Sequence, residues 1–544
     1  MTITNRVVNQ EAQQQAAAFL QGIEVPDSYY ADLVESVFLL PHQTQQFIPR
    51  PLIHLWTRTF TEILRMVNHD PQNMRSLAML LCLTKSALSQ RLYDGTPPSK
   101  RGPECNFTRI KKSLNDIRND KNEIFIIIDS LKAEAAYYTR PTPKAGDSEA
   151  AIKRAVIKKA QFGNYGAAIT ILDSKGMAPD NEITLKALEK LHPKGRDFRM
   201  PLTPEYEKWE FEGEDIMNVI NGIKIDAAGG ASGLKPAHLK SAMKAEAEVG
   251  SSSFADELAK FSSHVANGNI NEMISPYLGS GRLFALKKSE SDPTKIRPIG
   301  AGEILIKIPQ KAMLKKEMSM IKSKLLSDNQ IATGVKCGAE AAAHAMQLIW
   351  DTLSNQDDSL TCDPSKIYIG TTDLAAAYQG IDQGLILNEM ANNYPRFFPL
   401  VAFMFKNPIK MIYNKHVILS EQGVTQGSCL GSMLFCAGFA AMDRKIEAGL
   451  GPNSGELFKS AFADDTLFVG TLEAHLKRLE ILEKEGPEMG IYLNKAKSKV
   501  IMPMSAEEEI KRYPKDFERM QGGGLVVLGA PVGTKEFVQE FIRR

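Results

Sequence analysis

The stretch Phe462-Ala463-Asp464-Asp465 lies between Lys459-Ser460-Ala461 and Thr466-Leu467-Phe468-Val469-Gly470. Both flanks read as short strands, which places the two aspartates at the tip of a tight β-hairpin. Two neighbouring anions repel, and they ionise at a cost unless a cation neutralises them. An apolar hairpin that presents such a pair is a candidate Mg²⁺ site. A third carboxylate, Asp373, follows the apolar run Ile367-Tyr368-Ile369, 91 residues before Asp464 (464 minus 373). Three carboxylates at adjacent strand ends are what two-metal phosphoryl transfer requires.

At 544 residues the chain has room for two to four domains. Its net charge of +2 excludes a uniformly basic nucleic-acid binder, but the charge is uneven. Between Arg282 and Lys324 eleven Lys/Arg face four Asp/Glu, a local balance of +7. The six cysteines show no Cys-x-x-Cys pair and no His-Cys spacing suited to zinc, so they read as reduced, buried thiols of an intracellular protein. With a polar start, Met1 to Gln15, no signal peptide is expected. No apolar run approaches the ~20 residues of a membrane span, so no membrane partner is expected.

The sequence divides into three regions. Residues 1 to about 145 carry apolar residues at helical spacing, as in Gln13 to Leu20, Leu52 to Val67 and Arg109 to Asp116, with breaks expected at Pro97-Pro98 and Pro141 to Asp147. A second helical unit occupies about 146–200. From about Pro201 onward helices and strands mix, and every motif with chemical content falls there.

Arg282-Leu283-Phe284-Ala285-Leu286-Lys287-Lys288 reads as a strand ending in two lysines, followed by Lys295-Ile296-Arg297-Pro298-Ile299. Lys287 and Arg297 on such a strand pair could hold a triphosphate, Arg as a forked donor and Lys as a point charge; a solvated hairpin has the same composition. Asp373 at a strand end could reach a metal or simply cap the following helix. Tyr378, five residues on, could lie against the sugar of a nucleotide and exclude a 2′-hydroxyl, or fill the core. Gly423-Val424-Thr425-Gln426-Gly427-Ser428 opens a helix running through Phe439. Its glycines let backbone approach a base pair, and Gln426 could hydrogen-bond there. A charged helix, Leu472 to Lys484, precedes Gly490 to Lys497. Lys497 could protonate a leaving pyrophosphate or stand as an exposed helix lysine. Gly524 to Gly529 reads as a strand pair.

In this order the motifs resemble those of reverse transcriptases of the non-long-terminal-repeat retrotransposon type, and those of group II intron enzymes. The resemblance rests on Arg297-Pro298-Ile299, Asp373 with Ala377-Tyr378, Gln426-Gly427, Phe462 to Asp465, Gly490 with Asn494 and Lys497, and Leu528-Gly529. Ala231-Ser232-Gly233-Leu234-Lys235 resembles the Gly-x-Ser-Gly-Leu segment ahead of the fingers, and Gly166 to Pro193 resembles the helical run before it. The family usually has Ser-Pro where this chain has Gly431-Ser432.

The resemblance implies an α+β, right-hand polymerase: fingers and palm, an antiparallel palm sheet backed by helices, and a helical N-terminal region. Its divisions would be 1–145, 146–200, fingers and palm at 201–535, and the start of a thumb at 536–544. With 15 residues after Gly529 (544 minus 529), a largely missing thumb is expected. The resemblance further implies catalytic roles for Asp373, Asp464, Asp465 and Lys497. Two Mg²⁺ ions, with Mn²⁺ as the alternative, would bind Asp373, Asp464, Asp465 and the Leu374 carbonyl. Lys287, Arg297, Tyr378, Gln426 and Gly427 would bind nucleotide and template. The expected partners are an RNA template, a DNA or RNA primer and deoxynucleoside triphosphates, and a retroelement role implies work in the nucleus. Two other readings compete: a remnant that binds RNA without polymerising, and a viral RNA-dependent RNA polymerase. The viral enzymes usually carry Gly-Asp-Asp at the hairpin and a smaller sugar gate, unlike Phe462-Ala463 and Tyr378.

Overall fold

In a computed structural model the chain is described over residues 25–90, 92, 103–136, 138, 147–355, 363–425, 427–452, 454–502, 510–520 and 523–543. The helix expected at Gln13 to Leu20, the Pro97-Pro98 break, most of the Pro141 to Asp147 break and Gln426 lie outside the described residues.

Helices at Asp27–Leu39, Ile53–His69, Met74–Leu88, Pro103–Asn119 and Glu123–Ala136 fill the N-terminal region. In the second of these Trp56, Phe60, Ile63, Leu64 and Val67 fall on one stripe and are fully buried. That stripe meets the helices Pro236–Glu248 and Ser253–Ala266 through Trp56 against His238 and Phe60 against Phe254. A single apolar core therefore runs without a break from Tyr30 to Ile491.

Two larger sheets carry the rest. The first has the order β2-β1-β4-β5, made of Gly281–Lys287 (β1), Ile296–Gly302 (β2), Ile409–Tyr413 (β4) and His416–Ser420 (β5). Leu283 and Ala285 of β1 and Ile296 of β2 pack with Leu188 of the helix Glu182–Lys190, leaving Arg282, Phe284 and Leu286 on the opposite face. The second has the order β6-β7-β3-β8-β9: Ile367–Thr372 (β3), Glu456–Phe462 (β6), Asp465–Thr471 (β7), Lys499–Ile501 (β8) and Glu518–Arg519 (β9). All its pairings are antiparallel except β8 with β9.

Strand β3 is buried on both faces, and side-chain alternation sorts its residues. Ile367 and Ile369 pack under the helix Gly338–Ser354, together with Leu525, Val527 and Val532 of the small pair Gly524–Val527 (β10) and Ala530–Gly533 (β11). Tyr368 faces the other way, toward Leu472 and Leu479 of the helix Leu472–Glu485. Helices thus back the sheet from both sides and leave its turn end to carry the aspartates. The fold is the expected α+β class.

Two smaller expectations are corrected. The helix after Gly427 begins at Gly431, because Gly423 and Gly427 hold left-handed φ angles of +68° and +86° that no helix contains. Cys82 and Cys436 are buried thiols, but Cys337 is exposed: it precedes the helix Gly338–Ser354 in left-handed backbone, outside the core. Among the described residues no helix is long and apolar enough to cross a membrane.

Candidate active site

Strands β6 and β7 pair through Phe462 and Asp465, leaving Ala463 and Asp464 as a two-residue turn. On the other side of β7, Thr466 lies opposite Thr372 of β3, and the two buried hydroxyls hydrogen-bond. One further step along this register sets Asp373 beside Asp465. Alternation places both carboxylates on the face away from the threonine pair.

Asp373 is held from a distant part of the chain. The carboxylate accepts from Asn494 Nδ2 at 2.7 Å, its N–H donates to Ser498 Oγ at 3.2 Å, and its carbonyl accepts from the Asn494 N–H at 2.9 Å. The short bridge between Leu374 and Leu493 uses the Asp373 carbonyl and the Ala375 N–H, not the Leu374 carbonyl. Lys497, at the end of a single 3₁₀ turn and mostly exposed, brings its Nζ to 3.7 Å from Asp373 Oδ2.

The remaining wall of the Asp373 segment is backbone. The Gly423 N–H donates to the Ile381 carbonyl at 3.0 Å and the Val424 N–H to the Tyr378 carbonyl at 2.8 Å. A Cβ on Gly423 would meet the Tyr378 carbonyl oxygen, and one on Gly490, where φ is +71°, would meet that of Gly380. Tyr378 is half-buried, stacked on Phe435 with ring centroids 4.6 Å apart, and its hydroxyl reaches Ser432 Oγ at 3.4 Å. Ser432 occupies a position of the Gly431-Ser432 departure. Burial pushes the Tyr378 phenol up to about 12, so it stays a neutral ring.

The carboxylates strain against each other. Burial, then Asp464 and Asp373, push Asp465 up to about 6. Asp464 is raised as well, by burial first and then by Asp373, against an opposing pull from Lys497. Among the described residues no three His, Cys, Asp or Glu side chains are drawn together closely enough to form a ready metal cage. The donor chemistry nevertheless fits a hard divalent cation: three carboxylate groups, two of them resisting ionisation, with one lysine to offset them.

The register of the basic strand pair sorts its charges onto two faces. Arg297 lies opposite Leu286, and Lys287 opposite the buried Ile296. Lys287 therefore belongs to the face turned toward the helix Glu182–Lys190, away from Arg297. Lys288 continues the face of Arg282, Leu286 and Arg297, and its N–H donates to the Lys295 carbonyl at 2.8 Å. Burial first, then Arg297 and Lys497, lower the Lys288 ammonium, while Asp373 raises it, so Lys288 stands in the field of Asp373. Strand alternation counted from Arg282 would have found Lys288.

Gly427 packs directly on β2: a Cβ there would sit 2.5 Å from the Gly300 carbonyl oxygen. Gln310, in the helix Ile304–Ser327, fixes the following residues by accepting from the Cys429 N–H at 2.9 Å. The Gly-x-Ser-Gly-Leu segment serves the same helix. Ser232 donates its N–H and hydroxyl to the fully buried Glu303 carboxylate at 2.7 and 2.6 Å, just before the helix begins.

Residues 286–522 match the family described as reverse transcriptase (RNA-dependent DNA polymerase), less than half of the chain. No curated protein matches it. Among solved structures, telomerase from Candida albicans in complex with a TWJ fragment of telomeric RNA is similar at 12% identity and a TM-score of 0.35, over 48% of this chain and 45% of that one. Apo telomerase from Candida tropicalis gives 11% and 0.33 over 47% of each chain. The same enzyme truncated from its C-terminal domain gives 12% and 0.34 over 82% of this chain and 92% of that one. The match spans less than half the length of the first two. Residues 286–522, which hold the aspartates, Lys288, Arg297 and Lys497, are the part of the chain that is similar to reverse transcriptases.

Proposed function

We propose that this chain is an RNA-directed DNA polymerase of a retroelement, of the non-long-terminal-repeat or group II intron type, extending a primer 3′-hydroxyl with deoxynucleotides on an RNA template. The observation that carries the reading is the register of β3, β7 and β6. It gathers Asp373, Asp464 and Asp465 at one sheet end, inside the segment that matches the family. In this reading residues 201–535 make the fingers and palm, 146–200 the helical unit ahead of them, 536–544 the start of a thumb, and 1–145 a helical region whose described helices share a core with the rest.

Asp373, Asp464 and Asp465 would hold Mg²⁺, with the Leu374 carbonyl as a further donor. When bound, Mg²⁺ supplies positive charge for the primer hydroxyl and the triphosphate. The chain's own residues do the rest. Asn494 orients the Asp373 carboxylate. Arg297 and Lys288 grip the triphosphate from one face of β1 and β2. The Tyr378 ring, braced by Phe435, blocks a 2′-hydroxyl. Gly427, with Gln426 beside it in sequence, lets backbone approach the template. Lys497 gives a proton to the departing pyrophosphate.

The test is primer extension with Mg²⁺. Wild type should extend and Asp464→Asn should not, with its circular dichroism unchanged, because an amide is a poor ligand for a hard cation. Wild-type-like extension by the variant would sink the assignment, and a wild type that binds RNA without extending would favour the remnant reading.

A further inference from the structure

Ala463 is a non-glycine residue in left-handed backbone, with φ of +56°. Such a conformation persists only where the surroundings impose it. The pairing that closes the hairpin is made by Phe462 and Asp465, the residues outside the turn. Ala463 is nevertheless buried, and buried backbone groups need partners. One side chain supplies both. Gln330 Oε1 accepts from the Ala463 N–H at 3.2 Å, and Gln330 Nε2 donates to the Ala463 carbonyl at 3.3 Å.

The route by which Gln330 arrives there is built into the helix Ile304–Ser327. Asn329 turns left-handed with φ of +59°, and the Gln330 N–H returns to the Leu325 carbonyl at 2.8 Å, a Schellman ending. The chain then straddles β6: the Ala461 N–H donates to the Asn329 carbonyl and the Ile331 N–H to the Ala461 carbonyl, both at 2.9 Å. Gln330 is thereby locked on both sides by backbone, and the residue is 1% exposed. Its donor and acceptor are both spent on the turn residue next to Asp464.

We infer that Gln330 is a positioning residue: it clamps Ala463 in left-handed form and so fixes where the Asp464 and Asp465 carboxylates stand. Its effect on rate rests on the polymerase reading of those aspartates; its effect on the turn does not.

Gln330→Met keeps length and volume and removes both hydrogen bonds. Displacing a catalytic group by about 1 Å costs on the order of 100-fold in rate. The full chain carrying Gln330→Met should therefore lose about that factor in kcat for single-nucleotide addition, with the nucleotide KM within about twofold. In protein without added metal or nucleotide, hydrogen exchange at Ala463 to Asp465 should speed at least about tenfold relative to wild type, with β3 unchanged. Restoring the turn's preference with the double change Gln330→Met, Ala463→Gly should recover part of the rate, because glycine takes positive φ without strain. Unchanged exchange at the turn, or a loss confined to KM, would overturn the inference. If Gln330→Met does not fold, wild type decides alone: an Ala463 amide that exchanges as fast as an open turn means no clamp. A wild type that never extends a primer would defeat the polymerase reading and leave the exchange result standing.

Discussion

Removing a carboxylate from this site should make the protein more stable. The rise of Asp465 from 3.8 to about 6 means that the fold disfavours the ionised form. At about 1.4 kcal/mol per pH unit, that rise is worth about 3 kcal/mol at most. Asp465 is exposed on one side, and solvent screening brings the figure to about 1 kcal/mol. The sign follows from linkage. The folded state binds the proton more tightly than the unfolded one, so the penalty is absent below about pH 4, grows as pH rises through 6, and is complete at pH 7. Asp465→Asn cannot ionise and should escape it. Urea unfolding at pH 7.5, without divalent metal, should show the variant's midpoint higher by about 0.3 M, taking a slope of about 3 kcal/mol per molar. The gap should vanish by pH 4. Millimolar Mg²⁺ should also close it, by stabilising wild type alone. A variant less stable than wild type at pH 7.5, or a gap independent of pH, would refute the claim that mutual repulsion and burial govern these carboxylates.

Three further outcomes follow from the geometry. Tyr378→Val should admit ribonucleotides, read as the ratio of ribo- to deoxynucleotide incorporation; an unchanged ratio in an active variant would make Tyr378 a core residue. Lys288→Ala should raise the nucleotide KM about tenfold, the loss of roughly one charge-assisted hydrogen bond, while Lys287→Ala should leave it within about twofold; the reverse order would restore Lys287 to the site. Gly490→Ala should cost about 3 kcal/mol in unfolding free energy and suppress extension, since it combines left-handed strain with overpacking against Gly380.

The hairpin and Asp373 were legible because their signals are local: two-residue periodicity, a turn-sized gap, and carboxylates at strand ends. The strand pair around Arg297 was legible for the same reason, but its facing was not. Lys287 and Lys288 are chemically alike, and only the register against Ile296 and Arg297 separates them. The contact of Asn494 with Asp373, and Gln310 and Gln330 altogether, are not visible in the sequence because they act across 121, 119 and 133 residues of chain. A polar residue near a helix end or in a turn looks ordinary until its partner is known. The spacing around Lys497 suits a helix lysine or a proton donor; the fold gives it a single 3₁₀ turn beside Asp373, and its proton-donor role is part of the proposal.

The segment from Asp373 to Gly380 has main chain on both flanks, that of Gly423 on one side and that of Gly490 on the other. Side chains yield by changing rotamer; peptide planes do not. The stretch that carries the first aspartate and the tyrosine ring is therefore gripped by parts with almost no give. Its geometry is insulated from repacking elsewhere in the core and exposed to the addition of one methyl group at two positions. In such a place the informative residues are the ones with no side chain to align.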